Sequence, residues 1–247
     1  MTRIPMTNPL RETSPSTRGR ILAALYLLVI IGGIIGQVFI ADQLIVRNDA
    51  AKTAASILAN ESLYRLGFTI FMIEMVAQAA VTTLYYDLLK PVNRSVARIT
   101  TVIGLTGTGI KTMARLFYYT PLILLGGSPY LTSIDAASLE ALSLAFIRIN
   151  NQGAAIALIF FGFETLLRGW LVFQSGFLPR FLGVLSMVSG VGWLAYLSPP
   201  LGSQLFMVVA LFAIAGVMAT AGWLFIRGVD DAQWRARAAL ATTSIWR

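Results

Sequence analysis

The chain has 247 residues, of which 57% are hydrophobic and 12% are charged. A soluble domain carries about twice that charged fraction, so the composition excludes an ordinary soluble protein and indicates a membrane protein. The net charge is +8, but the basic residues do not form one patch, which argues against a nucleic-acid partner. The absence of Cys and His excludes disulfides, thiol or imidazole chemistry and the usual soft-metal ligands. We therefore expect no cofactor and no metal site.

Residues 1–19 are polar, basic and proline-containing, and are predicted to form a disordered cytoplasmic tail. The apolar run that follows, residues 21–41, is longer than the roughly 7 to 15 residues of a signal-peptide core and is predicted to be a retained first span. Residues 20–228 are predicted to form one transmembrane helical domain. Residues 229–247 form a cytoplasmic amphipathic tail in this interpretation; either Trp234 and Trp246 insert into the inner leaflet, or the tail is a short frayed extension.

Apolar stretches long enough to cross a membrane recur along the chain. Six are predicted, at residues 21–41, 63–89, 97–126, 152–174, 180–198 and 203–226. The fold class is therefore an all-α, polytopic transmembrane helical bundle. Lys and Arg concentrate before the first span, between the second and third, between the fourth and fifth, and after the sixth. The positive-inside rule then places both termini in the cytoplasm.

Two of the outer connections carry helix-start signals. Asn48 or Asp49 is a predicted N-cap for the alanine-rich segment that follows it, and Asp135 is a predicted N-cap for residues 136–150. The second segment either lies on the outer surface or continues into the fourth span. If it were an independent span, the count would be seven and the C-terminal arginines would lie outside, against the positive-inside rule.

Ionisable residues inside the spans are the candidate functional residues, because one charge at a helix centre costs roughly 2.5 to 3.5 kcal/mol on insertion scales. Lys111 lies near mid-membrane in the third span, and Glu74 lies at a similar depth in the second. These spans are joined by a short turn and are expected to pack antiparallel, so Glu74 is predicted to pair with Lys111 or Arg115. One positive charge is left over, to be met by Glu164, by backbone carbonyls, by a bound anion or by lysine deprotonation.

Polar residues four positions apart extend these charges into stripes on the helix faces. The stripes predict one polar pocket between the second, third and fourth spans, open to the outside. The candidate ligand- or ion-binding residues are Glu74, Gln78, Lys111, Arg115, Glu164 and Arg168.

Other patterns favour packing over chemistry. The pairs Gly32 and Gly36, Ser186 and Gly190, and Ala215 and Ala219 are predicted helix contacts. No spacing resembles an intramembrane catalytic motif, so no catalytic residue is assigned and an enzyme is disfavoured. The first three spans do not visibly repeat in the last three, which weakens a secondary transporter without excluding a small unit that dimerises.

Three stretches carry a resemblance to a known family. They are "LLKPVNR" at residues 88–94, "SGFLPRFLGVL" at 175–185, and "GRILAALYLLVIIGGI" followed by "LIVRNDAAKTAASILANESLYRLGF". In this order they resemble a bacterial family of multi-pass membrane proteins defined only as a domain of unknown function, of the DUF4386 type, from Arg20 to about Gly228. The resemblance implies a bacterial inner-membrane helical bundle and no particular reaction.

Two functions follow as hypotheses. In the first, the chain binds or transports a small molecule or ion, anionic in its sharpest form, at the intramembrane polar site. In the second, it is a structural or interaction subunit of a membrane complex, and the buried ion pair only holds helices together. The lipid bilayer is the expected surrounding in both cases, and a homo-oligomer is compatible with either.

Overall fold

A computed structural model describes residues 13–243 of the chain. These residues form helices and connections without any β-strand, which confirms the all-α prediction. The helices are α1 Pro15–Leu44, α2 Ala50–Ala59, α3 Glu61–Leu89, α4 Arg94–Leu125, α5 Ala136–Ser175, α6 Arg180–Trp193, α7 Pro199–Ile226 and α8 Asp231–Thr243. A 3₁₀ turn, Leu194–Leu197, extends α6.

Five helices in the described part of the chain are long and apolar enough to cross a membrane. They are α1, α3, α5, α6 with its 3₁₀ extension, and α7, and they correspond to the predicted first, second, fourth, fifth and sixth spans. The predicted third span corresponds to α4, which is 32 residues long and carries Lys111 and Arg115. It is not among the five, so a sixth crossing stays a prediction.

The six long helices pack side by side in a ring. α3 contacts α1 and α4, α4 contacts α5, α5 contacts α6, α6 contacts α7, and α7 returns to α1. Between α3 and α4 only residues 90–93 intervene, and the Asn93 side chain caps α4 by accepting from the Val96 N–H. Short connections of this kind make sequential helices antiparallel neighbours. The order around the ring places α4 between two of the five apolar helices.

Helix α1 begins earlier than the sequence predicted. Ser14 is its N-cap and Pro15 its first residue, so residues 15–19 of the predicted disordered tail are helical. Gly19 packs against Leu224 and Val229, which fixes this first turn to the end of α7. The physical reason is a Ser-Pro start signal, since proline is well suited to the first position of a helix. Residues 1–12 of the predicted tail lie outside the described residues.

A π-helical segment, Ile35–Ala41, interrupts α1 before its end. Within it, Gly36 lies so close to α3 that a Cβ would come within 2.7 Å of the Phe71 ring. The Gln37 side chain, also in this segment, donates to the Asp42 carboxylate at 2.9 Å. π-Helical segments occur frequently at functional sites. This one contacts Phe71, whose aromatic ring lies against the Arg115 guanidinium.

Both predicted outer caps are confirmed. The Asp49 carboxylate accepts from the Lys52 N–H at 2.9 Å, and the Asp135 carboxylate accepts from the Ser138 N–H at 2.9 Å. The hydrogen bond from the Lys52 N–H lowers the pKa of the Asp49 carboxyl group. Hydrogen bonds from the Ser138 hydroxyl, at 2.7 Å, and from its N–H lower the pKa of the Asp135 carboxyl group. Behind Asp135, α5 runs without a break from Ala136 to Ser175, so the outer segment continues into the predicted fourth span. It is not an independent seventh span.

A glycine seam joins α5 to α6. A Cβ on Gly183 would lie 2.6 Å from the Gly169 carbonyl oxygen, and one on Gly190 would lie 2.6 Å from the Leu166 nitrogen. Small residues allow such backbone contact between membrane helices. Of the predicted small-residue contacts, Gly36 and Gly190 are confirmed, whereas Ala215 is exposed on the outside of the ring.

The C-terminal helix α8 lies across the helix ends at one end of the bundle. The Trp234 indole donates to the Leu88 carbonyl at 2.9 Å, and the Asp231 carboxylate accepts from the Ser16 N–H at 2.8 Å. These hydrogen bonds pair backbone groups at helix termini that have no partner within their own helix. Trp234 is thus held against the protein, where one interpretation of the sequence had it insert into lipid. Trp246 lies outside the described residues.

Candidate functional site

The buried ionisable residues of the ring, together with polar side chains that contact them, form two separate groups. The first, called the Glu74 cluster, consists of Glu74, Lys111, Arg115, Tyr118 and Asn150. The second, called the Arg168 cluster, consists of Tyr26, Tyr85, Glu164, Thr165 and Arg168.

The ion pair of the Glu74 cluster joins α3 to α4. Lys111 Nζ lies 2.6 Å from Glu74 Oε1, which confirms the predicted pairing. The Glu74 side chain is 4% exposed, whereas that of Lys111 is 19% exposed and is the more accessible partner. On the α1 side, a Cβ on Gly33 would lie 3.5 Å from Glu74 Oε1, so the glycine lets α1 approach the carboxylate closely.

Arg115 does not take the second carboxylate oxygen. Its Nη1 donates to Asn150 Oδ1 of α5 at 3.1 Å, and its guanidinium lies 3.5 Å from the centre of the Phe71 ring. Cation–π contacts of this kind are strongest when the cation is desolvated, and Arg115 is only 3% exposed. The Phe71 contact was missed from the sequence, although Phe71 stands three residues before Glu74 and therefore on the same helix face.

Aromatic residues close the cluster on its far side. The rings of Tyr64 and Tyr118 stack with centroids 4.3 Å apart, and the Tyr64 hydroxyl donates to the Tyr118 carbonyl at 2.6 Å. The Phe71 and Tyr118 rings meet edge to face at 5.3 Å. Phe71 and Tyr118 are thereby held firmly beside Arg115.

Three buried polar atoms of this cluster lack a hydrogen-bond partner in the described part of the chain. They are Glu74 Oε2, Arg115 Nε and Tyr118 Oη; the fourth such atom, Ser143 Oγ, lies elsewhere on α5. Leaving a buried polar group unpaired costs roughly 1 to 3 kcal/mol, and more for a charged one. The cluster also holds two cations against one carboxylate. The cluster that contains the unpaired polar atoms therefore also has an excess positive charge.

The Arg168 cluster is internally paired. Arg168 Nη1 donates to Glu164 Oε1 at 2.7 Å, and Nη2 donates to Tyr26 Oη at 2.8 Å. The Thr165 hydroxyl lies 3.2 Å from Glu164 Oε2, and the guanidinium lies 4.6 Å from the Tyr85 ring centre. Through these contacts the Glu164–Arg168 pair connects α1, α3 and α5.

Two small cavities adjoin the Arg168 cluster, one on each side of its ion pair. A cavity of about 10 Å³ touches Glu164 together with Thr82, Thr100 and Thr101. One of about 50 Å³ touches Arg168 together with Ser186, Ser189 and Thr220. Their sizes suit roughly one and about three water molecules respectively. The paired cluster is therefore next to space for water, whereas neither cavity lies at the Glu74 cluster.

The prediction of one common pocket is wrong in its extent. Along α5, Asn150 and Glu164 are fourteen residues apart, about 21 Å at 1.5 Å per residue, so Glu164 lies too far along the helix to reach Arg115. Gln78, between the two levels on α3, is partly buried, and its carbonyl accepts from Thr82. Lys111 and Arg115 thus share a cluster with Glu74, and Glu164 and Arg168 form their own.

The fold and these clusters define the class: an all-α chain with five membrane-length apolar helices and a charged interior. A family model described as "Domain of unknown function (DUF4386)" matches residues 21–228. The chain belongs to this family, which confirms the resemblance noted from its motifs.

One relative and the solved structures add little to this assignment. An uncharacterized protein of Archaeoglobus fulgidus is 34% identical over 71 residues, which are 28% of this chain and 43% of that protein. The match thus spans less than half of the relative's length. No solved structure matches the chain.

Proposed function

We propose that this chain is a six-span inner (plasma) membrane protein that binds a small anionic ligand at the Glu74 cluster. The six-span count rests on the ring. α4 lies between α3 and α5, and at 32 residues it is about 48 Å long, more than the roughly 30 Å of the hydrocarbon core. Its cations face partners in α3 and α5, which is how intramembrane charges are usually accommodated. With six crossings, the positive-inside rule keeps both termini in the cytoplasm.

The observation that carries the ligand proposal is the coincidence of unpaired donors with excess positive charge. Arg115 Nε and Tyr118 Oη are buried and without acceptors among residues 13–243, and Lys111 and Arg115 outnumber Glu74. An anion supplies acceptors and a negative charge together, which water cannot do. Whether the bound anion then crosses the membrane or is sensed there is a further step, and the binding event is common to both.

The structural alternative is favoured by a different observation at the Arg168 cluster. There the carboxylate and guanidinium bond to each other and to neighbouring hydroxyls, with one carboxylate for one cation. We propose that Glu164 and Arg168 hold α1, α3 and α5 in register and do not touch the ligand. Of the six candidate residues, Glu74, Lys111 and Arg115 then form the binding core, and Gln78 lies beside it.

A thermal-shift measurement tests this proposal. A ligand that binds only the folded protein raises Tm, by the equivalent of about 2.7 kcal/mol at a hundred times Kd. Purified wild type in a phosphate-free maltoside detergent is expected to gain Tm with sulfate, phosphate or a small carboxylate, and Arg115→Met is expected to lose the gain. Leu116→Ala, at a neighbouring 56%-exposed position of α4, is the matched control and keeps it. A folded wild type that no anion stabilises would overturn the proposal.

A further inference from the structure

We infer that the Glu74 cluster binds a small divalent oxyanion together with one proton, and that Glu74 is the group that takes the proton up. This inference rests on the proposed anion-binding function. It adds the chemical class of the ligand and the way in which pH controls its binding.

The free edge of Arg115 selects an oxyanion. Within the described residues, the Arg115 guanidinium makes one hydrogen bond, from Nη1 to Asn150. The Phe71 ring covers one face of the guanidinium, with the ring centre 3.5 Å from the guanidinium carbon. The edge formed by Nε and Nη2 is left, and Nε is buried without a partner. Two parallel N–H groups on one guanidinium edge match two oxygens of a carboxylate, sulfate or phosphate. The Tyr118 hydroxyl is a further unpaired donor of the cluster and lies against Gly67 of α3.

Glu74 opposes such a ligand while it is ionised. Its Oε1 holds Lys111 at 2.6 Å, and its Oε2 is a buried acceptor without a donor. A bound oxyanion would face this negative charge directly. Protonation reverses both effects, because an Oε2–H becomes a donor to the oxyanion and the loss of charge frees Lys111 to turn toward the ligand.

The charge balance favours uptake of the two ions together. With Glu74 ionised, the cluster carries two positive charges and one negative charge. Protonation of Glu74 raises the net charge by one, and a bound dianion lowers it by two, so the loaded cluster is neutral, whereas a dianion bound without the proton would leave one excess negative charge. Because an uncompensated charge in a membrane interior is costly, this pairing links anion binding to proton uptake.

The groups around Glu74 leave it as the acid of the cluster. On α4 it faces Lys111 and Arg115, and on α1 the glycines Gly32 and Gly33, which cannot ionise. Its own helix contributes Phe71, and α5 contributes the neutral Asn150, which contacts Arg115. The two tyrosines near Arg115, Tyr64 and Tyr118, are already protonated at neutral pH. The more exposed Lys111 offers the route by which a proton and an anion reach the carboxyl.

The test is the pH dependence of anion affinity between pH 5 and 8. Sulfate and selenate serve as probes, because both remain dianions over this range. For wild type in phosphate-free maltoside, the affinity is expected to rise as the pH falls, by about tenfold per pH unit where Glu74 is ionised in the empty protein. Titration calorimetry in two buffers of different ionisation enthalpy is expected to show uptake of one proton per anion.

Glu74→Gln is the decisive variant, because it fixes the carboxyl in a neutral form. It is expected to bind the probes with an affinity that stays within about twofold across the range. Deprotonation of Lys111 would give wild type a pH dependence of the same sign, but that dependence would persist in Glu74→Gln and would overturn the inference. Should Glu74→Gln fail to fold, Lys111→Arg replaces it, because an arginine does not deprotonate between pH 5 and 8. One proton taken up per anion in that variant supports uptake at Glu74, and zero protons overturns the inference.

The outcomes distinguish a failure of this inference from a failure of the proposed function. They also distinguish two sources of the oxyanion, a lipid head group and a soluble ion. Binding that is independent of pH would overturn proton uptake and leave the proposed function standing. No binding at any pH would overturn both. Short-chain phosphatidic acid, a phosphate monoester that can carry two negative charges, distinguishes the sources. If it competes for Arg115 more strongly than sulfate, it supports the inference and identifies a lipid head group as the source; weaker competition supports a soluble ion.

Discussion

Lys111 Nζ of α4 lies 2.6 Å from Glu74 Oε1 of α3, while Arg115, one turn further along α4, bonds to Asn150 of α5 instead of the free carboxylate oxygen. One helix therefore presents two cations to two different neighbours at nearly the same level. The arrangement satisfies one cation with a charge and the other with an amide and an aromatic face. It leaves a donor edge that an oxyanion fits.

The Glu74–Lys111 pair is expected to be coupled energetically. Lys111→Met leaves a buried carboxylate and should lower the free energy of unfolding by about 2 to 3 kcal/mol, less than for a fully buried pair because Lys111 is 19% exposed. The double variant Glu74→Gln with Lys111→Met removes both charges and should recover part of that loss. Denaturation in detergent of the wild type, both singles and the double measures the coupling. Strictly additive effects would contradict a direct pair.

The Arg168 cluster is expected to contribute to stability without affecting anion binding. Tyr26→Phe removes the hydroxyl that accepts from Arg168 Nη2 and should lower the free energy of unfolding by about 1 to 3 kcal/mol, since it leaves a charged donor short of a partner. Tyr130→Phe, at an exposed position, is the control and should be neutral. Anion-induced gains in Tm should be the same in both variants. A loss of the anion effect in Tyr26→Phe would place this cluster in the binding site.

The glycine seam between α5 and α6 is expected to tolerate no side chain. Gly183→Ala places a Cβ 2.6 Å from the Gly169 carbonyl oxygen and should destabilise by roughly 1 to 3 kcal/mol as the helices separate. Gly222→Ala on α7 meets no atom within 4 Å and should be neutral or slightly stabilising, because alanine is the better helix former. Melting temperatures of the two variants make the comparison. Equal values would show that the seam is looser than described.

The two ends of α4 are expected to lie on opposite sides of the membrane. The chain has no cysteine, so single cysteines can be introduced without any background substitution. Ser133→Cys, beyond the end of α4, should react with a membrane-impermeant maleimide added outside cells. Ser95→Cys, in its first turn, and Ala232→Cys, on α8, should react only after permeabilisation. Labelling of Ser95→Cys and Ser133→Cys from the same side of the membrane would show that α4 does not cross it.

Much of this arrangement follows from local sequence patterns, and the remainder depends on helix neighbours. The pairing of Glu74 with Lys111 was predictable because a four-residue connection forces two helices to run antiparallel, and counting residues from the turn then matches their depths. The partner of Arg115 was not predictable in the same way. It depends on α5 lying beside α4, and residues 126–135 between these helices do not determine that packing.

The start of α1 and its π segment illustrate two further limits. Ser14 and Pro15 are a helix-start signal, but the polar composition of the first twenty residues outweighed it. Residues 35–41 are almost entirely apolar and give no local signal for a π-helix, whose position follows from the contact of Gly36 with Phe71. The sequence likewise predicted one pocket where the structure has two clusters. Helix-face patterns indicate which side of a helix a residue occupies. They indicate less clearly which residues of the other helices lie at the same height in the bundle.

The central claim, that an oxyanion binds at Arg115, is tested most directly by anomalous diffraction from crystals of the protein grown with selenate at low pH. Selenium identifies the ion without ambiguity. We expect an anomalous peak within hydrogen-bond distance of Arg115 Nε, with Lys111 turned from Glu74 toward the ion. Water at this atom, with the Lys111–Glu74 pair intact and no selenium peak at saturating selenate, would contradict the claim and leave the cluster a purely structural link between α3, α4 and α5.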